Sequence, residues 1–370
     1  MAAMEKNNKT LNVPHLRFPE FSGEWEVHRL GELVEIKSGV SPTGIIDENG
    51  LFPFYKVEQL NNCYVELDET PYLTMQSSVP VHSIIFPKRG AAIMTNKIRI
   101  ASKPCQLDTN LMALIIENNE KVDHKFLFYF IARYNLSKIA DTSTIPQINN
   151  IHVNPLKITL PSIKEQQKIS ALLTVLDQKI ETQKKIIKKY ESLIRGLCEK
   201  LTRQGATNKT IAECLECHSS TLQESAVLDA GSYPVYGAIG ICGYTDTPDV
   251  SGDGILIIKD GASVGVTYFA DGSYSSIGTL NRLTAKEDIN LRYIYYCLKV
   301  LNFTPYKTGL AIPHIYFKDY GKHKIWCPPL EQQSSIADAL TTIDNKIQVE
   351  KSLLEQLNSQ KRYMLNQMFI

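Results

Sequence analysis

The chain contains one passage twice, and this internal repeat constrains its architecture more than any other feature. LPSIKEQQKISALLTVLDQKI occupies residues 160–180 and CPPLEQQSSIADALTTIDNKI occupies residues 327–347, an offset of 327 − 160 = 167. IPQI at 145–148 returns as IPHI at the same offset, and further upstream ELVE matches ECLE at an offset of 181. We therefore predict two units of one plan, the first longer by 181 − 167 = 14 residues.

Each copy opens a long segment in which apolar residues recur at alternating steps of four and three. Such a 3.5-residue period predicts a coiled coil, whereas a helix lying on a globular core shows a wider stripe of period 3.6. Pro161 and Pro328 mark the helix starts. Gln183 and Glu350 interrupt the two seams at the same register, which predicts that the helices face each other. The first seam is Ile169, Leu173, Leu176, Ile180, Gln183, Ile187, Tyr190, Ile194, Leu197 and Leu201, and the second is Ile336, Leu340, Ile343, Ile347, Glu350, Leu354, Leu357, Lys361, Met364 and Met368.

The stretches before the two helices have another texture. Short β-rich runs such as VHSIIFP and GILIIKD alternate with Gly, Pro, Asn and Asp turns, and one helical segment lies near the end of each stretch. We predict an α+β protein with two globular α/β domains in a pseudo-two-fold arrangement, each followed by a long helix, and the two helices packed as an antiparallel coiled coil. The predicted divisions are an N-terminal tail and first domain at 1–158, a central helix at 159–204, a second domain at 205–326 and a C-terminal helix at 327–370.

The composition indicates an ordinary globular protein of the cytosol. Hydrophobic residues make up 43% of the chain and charged residues 21%. No run of 18 apolar residues occurs, and MAAMEKNNKT lacks the apolar stretch of a signal peptide. The eight cysteines show no disulfide framework. We expect a cytoplasmic protein without a membrane partner.

The motifs that would carry chemistry fail on inspection. Cys214, Cys217 and His218 match a haem-attachment pattern, but that chemistry requires export, and a zinc site requires a second ligand pair nearby. GAIGICGY and GASVGV lack the spacing of a phosphate-binding loop. The chain also lacks Asn-Pro-Pro-aromatic and Asp-Pro-Pro-Tyr, which we expect in an amino-group DNA methyltransferase. We predict no catalytic residue, no metal and no cofactor.

The distribution of charge is more informative than its sum. The net charge of +1 gives no global sign of a nucleic-acid partner. However, residues 88–107 carry five basic and no acidic residues, and residues 299–324 carry five basic residues and one acidic. Either run alone is compatible with a solvated surface. Because a basic run recurs at a similar stage of each unit, we favour a shared phosphate-binding surface.

The order and duplication of several phrases identify a family. LRFPEFSGEWEVHRLGELVEIKSG, YPVYGAIGICGYTD, IIFPKRGA, ILIIKDGA and the two (L/C)P…EQQ…I helices together resemble the specificity subunit of type I restriction–modification systems, from about residue 14 to the end. The resemblance implies two target-recognition domains that each read half of a split, asymmetric double-stranded DNA sequence, with two helices that set the spacer. It also implies two methyltransferase subunits that modify adenine at N6, and restriction subunits for ATP-driven translocation and cleavage. This chain would choose the site while its partners perform the chemistry.

Candidate DNA-binding residues follow from base-edge chemistry, in which Arg pairs with guanine and Asn with adenine. Gln147 and His314 occupy the same position of the repeat, where the difference is either recognition or a tolerated surface change. The tyrosines of the second unit are either recognition residues or packing residues. The candidates are Lys88, Arg89, Asn96, Lys97, Arg99, Lys103 and Gln147 in the first unit, and Tyr233, Tyr236, Tyr244, Lys259, Lys307 and His314 in the second.

The helix starts are candidate docking surfaces for the methyltransferases. The predicted docking residues are Glu165, Gln166 and Gln167 in the first helix, and Glu331, Gln332 and Gln333 in the second. Two other functions stay open at this point. A stand-alone DNA-modifying enzyme would show methyl transfer or cleavage by the isolated chain, and a scaffold without DNA recognition would show no salt-dependent affinity for duplex DNA.

Overall fold

A computed structural model of the chain describes residues 12–61, 64–67, 69–309 and 311–370. The chain forms two compact units, of which unit 1 comprises Met1–Lys184 with Leu353–Ile370 and unit 2 comprises Lys185–Ser352. Cys63 and the first eleven residues of the predicted N-terminal tail lie outside the described residues.

In its described residues, unit 1 contains nine short strands, two shorter helices, the first part of one long helix and the last part of another. The strands are Glu26–Arg29 (β1), Val34–Ser38 (β2), Phe52–Tyr55 (β3), Leu73–Thr74 (β4), Ile84–Pro87 (β5), Arg99–Ile100 (β6), Gln106–Leu107 (β7), Leu111–Ile116 (β8) and Lys157–Leu160 (β9). The helices are His124–Tyr134 (α1), Asn150–Val153 (α2) and Ile163–Leu201 (α3), and the last of these continues into unit 2.

In its described residues, unit 2 contains ten short strands, three shorter helices and parts of both long helices. The strands are Lys209–Thr210 (β10), Leu215–Ser219 (β11), Tyr233–Gly237 (β12), Gly240–Thr245 (β13), Val250–Ser251 (β14), Gly254–Ile258 (β15), Thr267–Ala270 (β16), Ser273–Ser276 (β17), Leu280–Ala285 (β18) and Lys324–Ile325 (β19). The helices are Ile211–Cys214 (α4), Leu291–Lys299 (α5), Phe317–Tyr320 (α6) and Leu330–Gln367 (α7), and the last of these continues into unit 1.

The sheet topology confirms that the two units share one plan. Unit 1 has an antiparallel sheet of order β2-β8-β5-β6, and unit 2 has the matching sheet β11-β18-β15-β16. Each unit adds a second sheet, of three strands in unit 1 and four in unit 2, that contains one parallel pair, β3 with β7 and β12 with β17. A two-stranded ribbon, β1 with β9 or β10 with β19, lies just before each long helix. The mixed α/β class with two long helices is therefore established.

The sheet that contains β5 in unit 1, and the one that contains β15 in unit 2, has a hydrophobic core on both faces. Successive side chains of the central strands point to opposite faces of the sheet. In β5, Ile84 and Phe86 enter the main core around α1, while Ile85 enters a second core beneath β7. In β15, Ile255 enters the main core around α5 while Leu256 enters the second core. The period-2 geometry of a strand sends successive residues to opposite faces. Burial on both faces explains why these strands are continuously apolar instead of alternating apolar with polar.

The two long helices contact each other within each unit. In unit 1, Lys361 of α7 binds Asp177 of α3 at 2.5 Å, and in unit 2, Lys351 of α7 binds Glu191 of α3 at 2.8 Å. The seam residues Ile169, Leu173 and Ile180 are buried as predicted, as are the polar interruptions Gln183 and Glu350.

A buried glutamine anchors the start of the first long helix to the globular part of unit 1. The Gln166 amide donates to the carbonyl of Pro161 at 2.9 Å and to that of Lys121 at 3.0 Å, and its oxygen accepts from the Asp123 backbone N–H at 2.9 Å. Asp123 caps α1 by accepting from the Phe126 N–H at 2.8 Å. We call Gln166 with these partners the first anchor.

The second anchor is built from the equivalent residues of unit 2, at the offset 333 − 166 = 290 − 123 = 167. Gln333 donates to the carbonyl of Pro328 at 2.8 Å and accepts from the Asn290 backbone N–H at 2.9 Å. Asn290 caps α5 by accepting from the Tyr293 N–H at 3.0 Å. The same backbone contacts therefore fix each long helix to its unit.

The anchors correct the predicted docking surface. Gln166 and Gln333 are buried with their amides occupied, and Glu165 is buried in a two-pronged ion pair with Arg17 at 2.8 Å for each oxygen. This burial contradicts their assignment to partner docking. Because Gln166 is equivalent to Gln333, the two EQQ sequences are one residue out of register. The remaining predicted docking residues are exposed: Gln167, Glu331 and Gln332.

Candidate nucleic-acid interface

In unit 1 the turn after β5 lies against the IPQI segment and brings candidate residues together. The Gly90 N–H donates to the carbonyl of Pro146 at 2.8 Å, and the Ile148 N–H donates to the carbonyl of Lys88 at 2.8 Å. Arg89 and Gln147 face each other across this antiparallel bridge. Gly90 has a φ of +83°, in the left-handed region that glycine adopts without strain. We call this arrangement the first bridge site.

Unit 2 builds the second bridge site with the same backbone hydrogen bonds. The Gly261 N–H donates to the carbonyl of Pro313 at 2.9 Å, and the Ile315 N–H donates to the carbonyl of Lys259 at 2.9 Å. Asp260 and His314 face each other across the bridge. Gly261 has a φ of +100°, so the turn has the same glycine requirement as in unit 1.

Each bridge site presents a row of three side chains on one face. Residues that lie directly opposite in an antiparallel pairing place their side chains on the same side. Gln147 also pairs with Asp141, and His314 also pairs with Thr308, where 308 − 141 = 167. The first row is therefore Arg89, Gln147 and Asp141, and the second row is Asp260, His314 and Thr308.

The two rows differ in their electrostatics. In the second row, His314 Nδ1 lies 2.7 Å from Asp260 Oδ1, and Lys259 Nζ lies 3.2 Å from Asp260 Oδ2. Burial opposes ionisation of Asp260, but the hydrogen bonds from His314 and Lys259 outweigh it and lower the pKa of the carboxyl group. In the first bridge site, burial and then the adjacent Arg89 charge lower the pKa of Lys88. Thus an ionised carboxylate stands in unit 2 where unit 1 has a guanidinium.

Three other candidates in unit 1 make contacts within the protein. Asn96 has a left-handed φ of +46°, and its amide donates to the carbonyl of Ala132 at 2.8 Å and accepts from the Leu136 N–H at 3.3 Å. The Arg99 guanidinium donates to the carbonyl of Leu60 at 2.6 Å and to that of Ile98 at 2.7 Å. The side chain of Lys97 contacts that of Asn61. These contacts favour structural roles for Asn96 and Arg99, whereas Lys103 is exposed on the loop before β7.

The structure does not bring the three candidate tyrosines into one cluster. Tyr233 pairs with Thr245 and Tyr244 pairs with Pro234, so Tyr233 and Tyr244 point to opposite faces of the β12–β13 ribbon. Tyr236 lies beyond a β-bulge and packs edge-to-face on Tyr274, with ring centroids 5.7 Å apart. Tyr236 is therefore a packing residue, and only Tyr244 of the three is exposed.

The sequence reasoning missed Asp141, Asp260 and Thr308, which complete the two rows. A signal was present for Asp260, because IIFPKRGA and ILIIKDGA align with Arg and Asp at one position. The exposed candidate Lys307 immediately precedes Thr308 at the second row. Cys214 lies in the main core of unit 2, and among the described residues no group of three or more His, Cys, Asp or Glu side chains could hold a metal ion.

The sheet topology and the paired bridge sites define a chain with two related α/β units, and comparison with known proteins gives its family. The family model for the type I restriction modification DNA specificity domain matches residues 22–192 and 206–359. The chain belongs to this family.

Individual relatives match over nearly the whole chain. The type I restriction enzyme MjaVIII specificity subunit of Methanocaldococcus jannaschii is 23% identical, with 98% of this chain and 95% of the relative covered. The crystal structure of a type I restriction–modification S subunit from M. genitalium superposes with a TM-score of 0.69 at 19% identity, covering 97% of this chain and 99% of that one. A chain from a structural study of complex assembly and conformational transition in the type I R–M system gives a TM-score of 0.54 at 17% identity, covering 93% and 97%. In the described part of the chain, no helix has both the length and the apolar character needed to cross a membrane.

Proposed function

We propose that this chain selects the DNA target of a type I restriction–modification complex, with each unit reading one half of a bipartite, asymmetric sequence. The observation that carries this proposal is the pair of bridge sites. Their backbone hydrogen bonds are the same, while the outward rows carry different side chains. Identical rows would favour identical half-sites, whereas different rows favour an asymmetric target.

The partners that we propose are two methyltransferase subunits, which modify adenine at N6, and restriction subunits. The names of the relatives, and the structural study of complex assembly among the matches, support this assignment. Two helix starts that are fixed by equivalent anchors suit two copies of one partner. Their exposed residues Gln167, Glu331 and Gln332 are the docking positions that we retain.

We further propose that the chain itself is non-catalytic and works in the cytoplasm with the DNA. The methyltransferase tetrapeptides are missing from the sequence, and the buried Asp177 is engaged by Lys361 and Tyr129 as a structural group. The division into recognition domains at 1–158 and 205–326 and helices at 159–204 and 327–370 also stands as a proposal.

Single-molecule methylome sequencing tests the proposal. Cells that carry this gene with its methyltransferase partner are compared with cells that lack only this gene. We expect N6-methyladenine to disappear from one bipartite, asymmetric motif. If no motif changes, the proposal fails for this chain in its own complex.

A binding measurement separates this function from a scaffold without DNA recognition. The affinity of the reconstituted methyltransferase complex for a duplex that carries the motif is measured between 50 and 200 mM salt. A DNA-recognition subunit predicts a steep loss of affinity with salt and a preference for the motif at every salt concentration. An affinity that changes neither with salt nor with the DNA sequence would support the scaffold instead.

A further inference from the structure

We propose that the two bridge sites read base pairs of opposite hydrogen-bond polarity, an inference that rests on the proposed function. The first site presents a donor at Arg89 and takes a guanine edge. The second site presents an acceptor at Asp260 and takes the amino group of a cytosine. At the equivalent point of each half-site, the base that is contacted is therefore guanine in one and cytosine in the other.

The donor character of the first site follows from the freedom of Arg89. Its side chain is exposed and makes no hydrogen bond or ion pair with the residues that the structure describes. A guanidinium has five N–H donors in a planar fork and no acceptor. The partner that matches this fork in the major groove is guanine, through O6 and N7. Gln147, beside Arg89 on the same face, adds an amide that both donates and accepts.

The acceptor character of the second site follows from the ionised state of Asp260. Its side chain is 31% exposed, and each oxygen accepts one hydrogen bond, from His314 or from Lys259. A carboxylate has about four lone-pair positions, so Asp260 retains capacity for another donor. The cytosine amino group is the donor that carboxylates accept in the major groove. The nearby Lys259 offsets the repulsion between this carboxylate and the DNA phosphates.

The preserved backbone turns the side-chain difference into a difference in what is read. In both sites the glycine N–H donates to the proline carbonyl, and the N–H of the isoleucine that follows Gln147 or His314 donates to the lysine carbonyl. Positions 89 and 260 therefore project from the same local frame. A reversal from guanidinium to carboxylate in one frame exchanges donor for acceptor without moving the attachment point.

Transfer of two residues of the second row into the first site provides the test. The double variant Arg89→Asp with Gln147→His places the second row's pair in the first site, and methylome sequencing with the methyltransferase partner reads the motif. We expect one half-site to change from guanine toward cytosine at one position, with about a tenfold to hundredfold change in preference. The other half-site and the spacer should stay as they are.

Two further variants keep the test decisive. Asp260→Asn preserves the size of the side chain but makes it an amide, which pairs with adenine, so we expect cytosine to be replaced by adenine in the second half-site alone. The control is Thr144→Ala with Ala311→Thr, which exchanges exposed residues of the same segments at equivalent positions outside the rows. We expect this control to leave the motif unchanged.

The outcomes distinguish this inference from the function on which it rests. A wild-type chain that directs no bipartite methylation overturns the proposed function. If the wild-type motif is present, an unchanged motif in Asp260→Asn overturns the inference, and so does a motif that changes equally in the control. A double variant that methylates nothing, together with the expected adenine in Asp260→Asn, still supports it.

Discussion

The anchors and the bridge sites lie at equivalent places in the two units, yet the repeat preserves different things in each. In the anchors both the backbone contacts and the glutamine side chains are the same, Gln166 and Gln333. In the bridge sites the backbone contacts are the same but the outward side chains are not, Arg89 and Asp260. An anchor glutamine binds carbonyls of its own chain, which are the same in both units. The side chains have diverged where the expected partner is the DNA, which differs from one half-site to the other.

The largest loss of stability should come from a position where the two units have the same residue in different surroundings. Asp177 and Asp344 are equivalent, but the Lys361–Asp177 side chains are 17% and 4% exposed, whereas the Lys299–Asp344 side chains are 31% and 22% exposed. Lys361→Met leaves a buried carboxylate without its ion-pair partner, which costs about 3 kcal/mol. Lys299→Met breaks a more solvated pair and costs less than about 1 kcal/mol.

Hydrogen exchange measures each of these costs inside its own unit, from the amides of α1 and β8 for Lys361→Met and of α5 and β18 for Lys299→Met. Equal losses of protection would show that burial does not set the cost. The two ion pairs would then contribute equally to stability despite their different exposure.

The anchors should respond equally in both units. Gln166→Leu and Gln333→Leu each leave a partly buried backbone N–H and a buried proline carbonyl without the glutamine partner, which lowers the free energy of unfolding by about 2 kcal/mol. The exposed Gln167→Leu and Gln332→Leu serve as matched controls, with changes within about 0.5 kcal/mol. Urea unfolding of the purified chain checks the four variants. A stable Gln333→Leu beside an unstable Gln166→Leu would mean that the anchors are not equivalent.

Two exposed candidate lysines should act on DNA affinity without changing the sequence that is read. Lys103 and Lys307 are exposed, so replacement of either by Gln should lower the slope of log affinity against log salt by about 1. Arg99 donates to backbone carbonyls, so Arg99→Gln should reduce stability and leave the slope in place. Salt titration with motif and scrambled duplexes provides the measurement. A change of motif in the Lys variants would assign them to base reading instead.

The smallest effect is expected at the glycines that shape the bridge sites. A Cβ added at Gly90 or Gly261 meets no atom within 4 Å, so the cost of Ala is conformational and comes from φ values of +83° and +100°. We expect Gly90→Ala and Gly261→Ala each to lower the stability of the turn by about 1 kcal/mol. Faster hydrogen exchange of the backbone amide at position 90 or 261 would show this loss. A clear excess in one unit would show that the two turns are held differently.

The sequence predicted the elements whose physics is local. The seams were readable because apolar spacing alone determines which face of a helix is buried. The bridge sites were not readable, because Arg89 and Gln147 are 58 residues apart and their pairing is set by the fold (147 − 89 = 58). The sequence does not reveal the left-handed backbone of Asn96, or the strand alternation and bulge that separate the three candidate tyrosines.

The way in which residues 353–370 complete unit 1 has a consequence for synthesis on the ribosome. Phe369 is buried against Phe126, with ring centroids 4.9 Å apart, and the Arg133 guanidinium donates to the Ile370 carbonyl at 3.0 Å. Most of unit 1 emerges before any of unit 2, but its core lacks this aromatic contact until residue 369 has been made. The core of unit 1 must therefore keep apolar surface exposed to chaperones until residues 353–370 have been synthesised.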